Sequence, residues 1–411
     1  MIALSAPLRL LVVGLNYAPE QVGIGPYTTG LCETLADFGH TVEVVAGEAY
    51  YPEWRRHPGQ PRSGRRDPEN GVTVRRCRHY IPSNPSGLKR VLHHVSFTLS
   101  SLIPAVRAAR RLRPHVVFTV APSLLGIPAA WLAAKASGGK LWIHVQDFEV
   151  EAAFATGLLT GKLASRLALG AENLLLRLGK QVSAISPQMV TRLAAKGVPA
   201  SRTYELRNWA NAGFAPDPAE AGRYRREWQL GNRKVALYSG NISNKQGIEL
   251  VVEAARLLQA REDLVFVICG EGPNRERLAR LCAGLGNVQL HGLQPAERMG
   301  GLLSLAEVHL LPQIPGAADL VLPSKLTNML LSGKPVAATA TAGTGLADEV
   351  EGCGLVTPPG DAAAFAEAIA RLADDPQLAA TFGQTAQLRA AERWNREAIL
   401  HRLETRLGEL A

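Results

Sequence analysis

Two glycine-rich turns carry residue types that bind phosphate groups. Gly23-Ile24-Gly25 lies directly before a stretch with helical spacing, and Gly240–Gly247 contains Asn241 and Lys245. Glycine lets the backbone approach a phosphate closely, and a helix N-terminus adds N–H groups and partial positive charge. Either turn could instead be an ordinary strand-to-helix connection. Neither matches a dinucleotide fingerprint or a P-loop, because Thr28 replaces a third glycine and no Gly-Lys-Ser/Thr follows the later strand.

A second lysine stands at a predicted helix start. Pro323 and Ser324 are typical of the first positions of a helix, and Lys325 and Thr327 follow in its first turn. A lysine is unfavourable at this end of the helix dipole, so we interpret Lys325 as a ligand for an anion, unless it simply points to water. Asp319 precedes the same turn.

Two further turns supply polar candidates. Gly270-Glu271-Gly272 follows a predicted strand and could contact a nucleoside or be a plain turn. Asp147 also follows a predicted strand, and its carboxylate could bind sugar hydroxyls or assist proton transfer. Glu149 and Glu151 are weaker candidates, since the segment could simply be an acidic loop. The sequence has no Asp-x-Asp motif, so we expect neither a metal ion nor a cofactor.

Short apolar runs alternate with amphipathic stretches in two regions, which predicts parallel sheets with right-handed crossovers. The fold class expected is therefore α/β, with two doubly wound Rossmann-like domains facing across a cleft. The predicted strands are Leu8–Gly14, Thr41–Ala46, Val116–Val120, Lys140–Val145, Gln181–Ile185, Val235–Ser239, Leu264–Cys269, Val288–Leu290, Val308–Leu311 and Pro335–Ala338. Helices are predicted between them, and a last helix is predicted over Ala390–Leu410.

The length of 411 residues also favours two domains, because one core rarely exceeds about 300 residues. We expect a first domain over 1–212, a second domain over 213–389, and a terminal helix over 390–411 that crosses back to the first domain. The linker is predicted near Asn208–Pro218, and His57–Gly71 is predicted to be a loop within the first domain.

Composition is that of a folded protein, with 46% hydrophobic and 20% charged residues. The five cysteines form no C-x-x-C pair, which indicates neither a zinc site nor a disulfide framework. Residues 1–200 hold 23 Lys/Arg and 12 Asp/Glu, and residues 201–411 hold 22 and 24. The N-terminal half is therefore the basic half, and an anionic partner should meet it first.

One predicted helix combines apolar and basic residues. The apolar run Val95–Val106 is too short to span a bilayer, which takes about 20 residues, and we expect no signal peptide or membrane span. It is flanked by Lys89, Arg90, His93 and His94 on one side and by Arg107, Arg110, Arg111 and Arg113 on the other. This pattern predicts a helix that lies on an anionic membrane, unless it is a core helix with a solvated basic end.

Several motifs occur together in one order and spacing, and through them the chain resembles glycosyltransferase family 4, the retaining GT-B enzymes. More narrowly it is similar to the colanic-acid and O-antigen branch, with fucosyl- or N-acetylfucosaminyl-transferase-like proteins. The motifs are Asn16-Tyr17-Ala18-Pro19-Glu20, Gly23-Ile24-Gly25, Tyr50-Tyr51-Pro52-Glu53-Trp54, Gln146-Asp147, Gly240-Asn241-Ile242, Lys245-Gln246-Gly247 and Leu322-Pro323-Ser324-Lys325-Leu326-Thr327-Asn328.

The resemblance implies that the domain over 1–212 is the acceptor-side domain and that the domain over 213–389 binds the nucleotide sugar. It also implies a role for each site residue. The amides of Gly23 and Gly25 would contact the donor diphosphate, and Gly240 and Lys245 would hold it from the other side. Asp147, Lys245 and Lys325 would act in catalysis, with the two lysines neutralising the leaving diphosphate. The remaining residues would bind the donor, and they are Asn241, Glu271, Gly272, Asp319, Pro323, Ser324 and Thr327.

Four positions depart from the broader family pattern. Asn241 replaces an arginine, Gln146 replaces a histidine, and Asp319 with Thr327 replaces a pair of glutamates. A threonine cannot accept two ribose hydrogen bonds as a carboxylate can. The identity of the nucleotide and the sugar therefore stays open.

The resemblance further implies the partners. They would be a nucleotide-sugar donor, a polyprenyl-diphosphate-linked saccharide acceptor for exopolysaccharide or O-antigen synthesis, and an anionic membrane surface, with no nucleic acid. The expected location is the cytoplasm, peripheral on the inner face of the plasma membrane. Two alternatives stay open, a nucleotide-sugar 2-epimerase and a non-catalytic nucleotide-sugar-binding partner of a polysaccharide assembly complex.

Overall fold

The chain is described here from a computed structural model. The described residues are 6–411 except 22, 59, 61–62, 65, 122–123, 149–161, 211, 244–245 and 315–322. The chain divides into two compact units. Unit 1 comprises Met1–Arg207 and Glu397–Ala411, and unit 2 comprises Asn208–Arg396.

Unit 1 is built on a sheet whose described strands number eight, in the order β3-β4-β2-β1-β5-β6-β7-β8. All neighbouring strands are parallel except β3 and β4. The strands are β1 Arg9–Gly14, β2 Thr41–Gly47, β3 Arg66–Glu69, β4 Val72–Cys77, β5 Val116–Ala121, β6 Lys140–Val145, β7 Gln181–Ala184 and β8 Thr203–Glu205. The helices are α1 Gly25–Asp37, α2 Gly87–Leu112, α3 Ile127–Ser137, α4 Lys162–Leu176 and α5 Pro187–Ala195.

Unit 2 has a sheet of six described strands, all parallel, in the order β11-β10-β9-β12-β13-β14. They are β9 Lys234–Ser239, β10 Leu264–Cys269, β11 Val288–His291, β12 Val308–Leu311, β13 Val336–Thr339 and β14 Gly354–Thr357. The helices are α6 Pro218–Glu227, α7 Glu249–Leu257, α8 Arg275–Cys282, α9 Met299–Ser304, α10 Lys325–Leu331, α11 Gly345–Val350, α12 Ala362–Asp374 and α13 Pro376–Arg393. A final helix, α14 Arg396–Leu410, belongs to unit 1 from Glu397 onward.

The central strands of both sheets are buried on both faces, as helices on either side of a parallel sheet require. Every residue of β5 and of β10 is buried, and β1 is buried from Leu10 to Gly14. This is why these strands occur as continuous apolar runs. The prediction of two parallel-sheet α/β domains is confirmed.

The predicted loop over His57–Gly71 is partly wrong, because β3 pairs with β4 as an antiparallel hairpin at its end. Asn70 and Gly71 form the two-residue connection, and both have positive φ angles, 46° and 78°. Asn-Gly is the preferred pair at a turn of this kind. The predicted helix over Ala390–Leu410 is also two helices, because α13 ends at Arg393 and α14 begins at Arg396.

Helix α2 has two apolar faces. Its buried face includes His93, Phe97 and Ala105. The opposite face carries exposed apolar side chains at helical spacing, which we call the α2 stripe: Leu88, Leu92, Leu99 and Ile103. None of the helices in the described part of the chain is long and apolar enough to cross a bilayer.

Fewer positive charges precede the apolar run of α2 than the sequence predicted, because two histidines there are neutral. Burial lowers the pKa of His93 to about 4 and that of His94 to about 3. Both rings are therefore neutral near pH 7. After the run, Arg111 donates to Glu43 in an ion pair. Positive charge at the surface of α2 therefore comes from exposed side chains such as Lys89, Arg90, Arg107 and Arg110.

The last helix, α14, docks onto unit 1 through side chains on one face. Leu400 and Leu403 are fully buried. His40 Nδ1 accepts from the backbone N–H of Leu8 at 3.1 Å, so its protonated Nε2 donates to Glu404 at 3.2 Å. Apolar burial and this hydrogen bond together hold α14 in place.

We expect Leu403→Ala to lower the free energy of unfolding of unit 1 by about 2–5 kcal/mol, because it leaves a cavity under α14. Urea denaturation followed by far-UV circular dichroism measures the effect. Leu388→Ala is the matched control, since Leu388 is 65% exposed and its truncation should cost about 0.5 kcal/mol or less. Equal midpoint shifts for the two variants would contradict the packing described for α14.

Candidate functional site

The carboxyl ends of β9 and β10 in unit 2 contact each other through backbone. The amide of Ile242 donates to the carbonyl of Glu271 at 2.9 Å. A Cβ on Gly270 would lie 1.9 Å from the Gly240 carbonyl oxygen, and a Cβ on Gly272 would lie 2.3 Å from that of Ile242. No side chain fits at either glycine, so Gly270 and Gly272 are required for this close approach.

Lys325 lies beside this pair of turns. Its Nζ donates to Gln246 Oε1 at 2.8 Å and lies 4.2 Å from the centre of the Tyr238 ring. The same Nζ would be 3.4 Å from a Cβ on Gly240. The Tyr238 hydroxyl donates to the Asn241 carbonyl at 2.7 Å, which fixes the ring under the ammonium. These contacts place Lys325, Gly240 and Asn241 at one edge of unit 2.

The Lys325 ammonium has been removed from most of its water. Burial lowers the pKa of Lys325 to about 7. Among the residues that the structure describes, no carboxylate forms an ion pair with it. A desolvated cation whose partners in the described part of the chain are an amide and an aromatic face is suited to bind an anion.

The start of α10 differs in detail from its prediction. Ser324 occupies the position before the helix, but its side chain makes no capping hydrogen bond. Thr327 is buried, and its hydroxyl donates to the Ser324 carbonyl at 2.8 Å. The Thr327 hydroxyl is thus bonded within the first turn, and its contact with a ribose stays a prediction. Pro323 is partly exposed, and its carbonyl accepts from the amide of Leu326 at 3.0 Å.

Two candidates in unit 2, Lys245 and Asp319, lie outside the described residues. Glu271 is exposed, and its carboxylate lies 3.5 Å from Arg275. The prediction overlooked Arg275, whose Nη1 donates to the carbonyls of Gly270 and His291 at 2.8 and 3.0 Å. Tyr238 was overlooked as well. An aromatic residue near the end of the strand before a glycine turn was the available signal.

The glycine turn of unit 1 has the geometry that its sequence predicted. Gly23 has a φ of 73°, and α1 begins at Gly25. A Cβ on Gly23 would lie 3.3 Å from the Tyr51 ring. A Cβ on Gly25 would lie 2.8 Å from the Cβ of Glu20. Both glycines therefore have close neighbours, Tyr51 and Glu20.

Asp147 follows β6 and is half-buried. The preceding Gln146 is held by a buried chain of hydrogen bonds, in which its Nε2 donates to His144 Nε2 at 2.9 Å. His144 Nδ1 then donates to Ser183 Oγ at 2.9 Å. Burial lowers the pKa of His144 to about 3, so this ring is neutral. Glu149 and Glu151 lie outside the described residues.

Tyr51 interacts with two of the unit 1 candidates, Gly23 and Asp147. Its pKa is raised, chiefly by burial and further by the charges of Glu20 and Asp147, while Arg90 lowers it. Asp147 is therefore close enough to act electrostatically on a ring that touches Gly23. The described part of unit 1 thus groups Gly23 and Asp147 around Tyr51, and the described part of unit 2 groups Gly240, Asn241, Gly272 and Lys325.

Two family models match the chain. A glycosyl transferase 4-like domain matches residues 22–209, and glycosyl transferases group 1 matches residues 233–375. A protein of Escherichia coli (strain K12), named as the colanic acid biosynthesis glycosyl transferase WcaI, is 40% identical over 82% of this chain and 85% of its own length. The alpha-D-kanosaminyltransferase of Streptomyces kanamyceticus is 28% identical over 72% of this chain and 78% of its own length.

Solved structures share the fold. Anabaena HepE in complex with UDP superposes with a TM-score of 0.72, covering 98% of this chain and 100% of that one, at 16% identity. Sucrose-phosphate synthase from Thermosynechococcus elongatus gives a TM-score of 0.76, with 98% and 99% coverage, at 21% identity. The chain therefore belongs to glycosyltransferase family 4, has the GT-B fold, and falls within its colanic acid biosynthesis branch.

Proposed function

We propose that this glycosyltransferase moves a sugar, with a fucose-type sugar as the first candidate, from a nucleoside diphosphate to a polyprenyl-diphosphate-linked saccharide with retention of configuration. The product would serve exopolysaccharide or O-antigen synthesis. The name of the Escherichia coli relative, which refers to colanic acid, supports this class of product. The complexes of HepE with UDP and UDP-glucose support a nucleotide-sugar donor.

The observation that carries the proposal is the environment of Lys325. Its ammonium is desolvated, lies over Tyr238, and has no carboxylate partner among the described residues. It lies beside Gly240, where a Cβ would be 3.4 Å from the Lys325 Nζ. A diphosphate bound there would restore to the ammonium the interactions that burial removed.

In this proposal Lys325 acts mainly on the leaving group. As the bond between the sugar and the diphosphate breaks, negative charge grows on the diphosphate oxygens, and a fixed cation stabilises that charge. The acceptor hydroxyl attacks from the face that the nucleoside diphosphate leaves. Lys245 would add a second cation, and Asp147 would bind the sugar or take the acceptor proton. The contact of Gly23 and Gly25 with the diphosphate stays a prediction.

We propose further that the α2 stripe places the enzyme on the inner face of the plasma membrane, where a lipid-linked acceptor would lie. Exposed apolar side chains beside exposed Lys89, Arg90, Arg107 and Arg110 are the combination that binds an anionic bilayer. Each cation near such a surface contributes about 1 kcal/mol. Arg90 also lies 5.3 Å from the Trp54 ring. A cation over an aromatic ring at this end of α2 suits the phosphate and sugar of the acceptor.

The rate of sugar transfer by the Lys325→Met variant, compared with that of wild-type protein, tests the proposed function. Purified wild-type protein is first screened by thermal shift against UDP-, GDP- and dTDP-sugars. It should then release nucleoside diphosphate from the stabilising donor, slowly without acceptor and faster with one. Because one stabilising charge is lost, we expect Lys325→Met to reduce kcat roughly 100-fold with the fold intact. The same direction is expected for Lys245→Ala.

Lys334→Met is the control for Lys325→Met, since Lys334 is a partly exposed lysine at the amino end of β13, away from the glycine turns. Its kcat should stay within about twofold of wild type. Donor binding without any release of nucleoside diphosphate would favour the non-catalytic alternative. Conversion of the donor into its epimer would favour the 2-epimerase.

The pKa of Lys325 sets the pH dependence of donor binding. Below pH 7 the ammonium is already charged, so the Kd of the nucleotide sugar should be flat there. Above pH 7 binding must take up one proton, and the Kd should rise by up to about tenfold per pH unit. Isothermal titration calorimetry from pH 6 to 9 measures this. Lys325→Arg stays charged throughout and should bind with a flat profile, and a flat wild-type profile would contradict the assignment.

Substitution on the α2 stripe tests membrane attachment. Leu99→Ser with Ile103→Ser should weaken co-sedimentation with phosphatidylglycerol vesicles at low salt roughly 100-fold, because two side chains no longer enter the bilayer. Both residues are well exposed, 68% and 58%, so the fold should be unaffected. Leu257→Ser with Leu388→Ser, exposed by 59% and 65% in unit 2, is the matched control. If wild-type protein fails to sediment, the membrane proposal is wrong.

A further inference from the structure

Glu20 is a buried carboxylate with three hydrogen-bond donors around it. Only 5% of the residue is exposed. Its Oε1 accepts from the backbone amides of Tyr50 and Tyr51 at 3.0 and 3.2 Å. Its Oε2 accepts from Asn16 Nδ2 at 2.9 Å. Burying a carboxylate is costly unless donors surround it, so this arrangement holds the Tyr50–Tyr51 segment firmly.

The same side chain limits the position of the glycine turn. A Cβ on Gly25 would lie 2.8 Å from Glu20 Cβ and 3.2 Å from the Glu20 carbonyl oxygen. Helix α1 therefore begins in direct contact with Glu20. The Glu20 carboxylate thus connects the start of α1 to a segment that follows β2, two parts of unit 1 that are distant in sequence.

Tyr51 continues this connection to the candidate site. Its amide is bound by Glu20, and its ring lies 3.3 Å from a Cβ on Gly23. The ring is also near enough to Asp147 for the Asp147 charge to raise the pKa of Tyr51, after the larger effect of burial. The position of Glu20 therefore determines where Tyr51 lies relative to Gly23 and Asp147.

We propose that Glu20 is a positioning residue for sugar transfer, which acts through Tyr51 by holding its ring against Gly23. The inference rests on the proposed function. Glu20 is buried behind the turn, so it orders the residues that would meet the reactants and does not itself touch them. No part of this role requires the Glu20 carboxylate to move a proton.

The kcat and the donor Kd of Glu20→Ala distinguish a positioning role from a purely structural one. We expect kcat to fall roughly 30–100-fold, because small displacements of positioned groups are expensive in catalysis. The Kd of the nucleotide sugar should rise by a smaller factor than kcat falls, because the donor contacts proposed for Lys325 lie in unit 2 and are unchanged. Glu43→Gln is the matched control, a buried carboxylate of unit 1 with ion pairs to Arg66 and Arg111. It should lower stability and leave kcat within about threefold.

The conservative variant Glu20→Gln distinguishes positioning from charge. Its amide oxygen can still accept from Tyr50 and Tyr51, and the Asn16 amide can rotate to accept from the new Nε2. We therefore expect Glu20→Gln to recover kcat to within about fivefold of wild type. This variant also keeps the proposal testable if Glu20→Ala does not fold. A Gln variant as slow as the Ala variant would overturn the positioning role.

A double-mutant cycle tests whether Glu20 acts through Tyr51. The double variant Glu20→Ala/Tyr51→Ala should lose no more activity than Tyr51→Ala alone. Once the Tyr51 ring is gone, Glu20 has no ring left to position. If the fold losses in kcat of the two single variants instead multiply in the double variant, Glu20 does not act through Tyr51. If wild-type protein transfers sugar and Glu20→Ala transfers equally fast, only this inference fails. If wild-type protein neither binds nucleotide sugars nor transfers sugar, the proposed function fails instead.

Discussion

An ammonium group that loses its water must recover the lost stabilisation from other partners or lose its proton, and this constraint governs the edge of unit 2. Lys325 has Gln246 and the face of Tyr238 as partners, and burial brings its pKa down to about 7. These two are its partners within the part of the chain that the structure describes, and burial has removed water from the ammonium. The glycines beside it have a separate role, because Gly270 and Gly272 carry no side chain and so allow the turns after β9 and β10 to approach each other closely.

Unit 1 contains a buried group of the opposite charge, the Glu20 carboxylate. Glu20 is a buried anion, and its three donors come from segments that would otherwise be free to shift. Burial still raises the pKa of Glu20, although the hydrogen bonds from Tyr50, Asn16 and Tyr51 lower it. Lys325 lies beside the glycine turns, whereas Glu20 joins segments of unit 1 through its hydrogen bonds, and this difference is the basis for proposing one for binding and the other for positioning.

Much of the fold followed from apolar runs, because parallel strands that are buried on both faces leave a strong pattern in the sequence. Elements with weaker patterns were missed. The β3–β4 hairpin has charged strands, and its Asn70-Gly71 turn was the signal that should have predicted it. The break near Trp394 could not be read from a continuous helical pattern.

The candidate site was harder to predict from the sequence than the fold, because its key properties depend on contacts between segments that are distant in sequence. The sequence identified Lys325, but its desolvation by Tyr238 depends on how β9 meets α10. His93 and His94 were counted as basic, and only their burial shows that they are neutral. Glu20 stood in a recognised motif, yet its bonds to Tyr50 and Tyr51 required the structure.

The proposed contact between the Lys325 ammonium and the donor diphosphate can be tested directly. Nuclear magnetic resonance of ¹³C-labelled lysine side chains, assigned with Lys325→Arg, can follow the titration of Lys325 directly. We expect Lys325 to have a pKa of about 7 in the free protein, and we expect this pKa to rise clearly when the donor nucleotide sugar is added. A pKa that stays the same with and without the donor would contradict it.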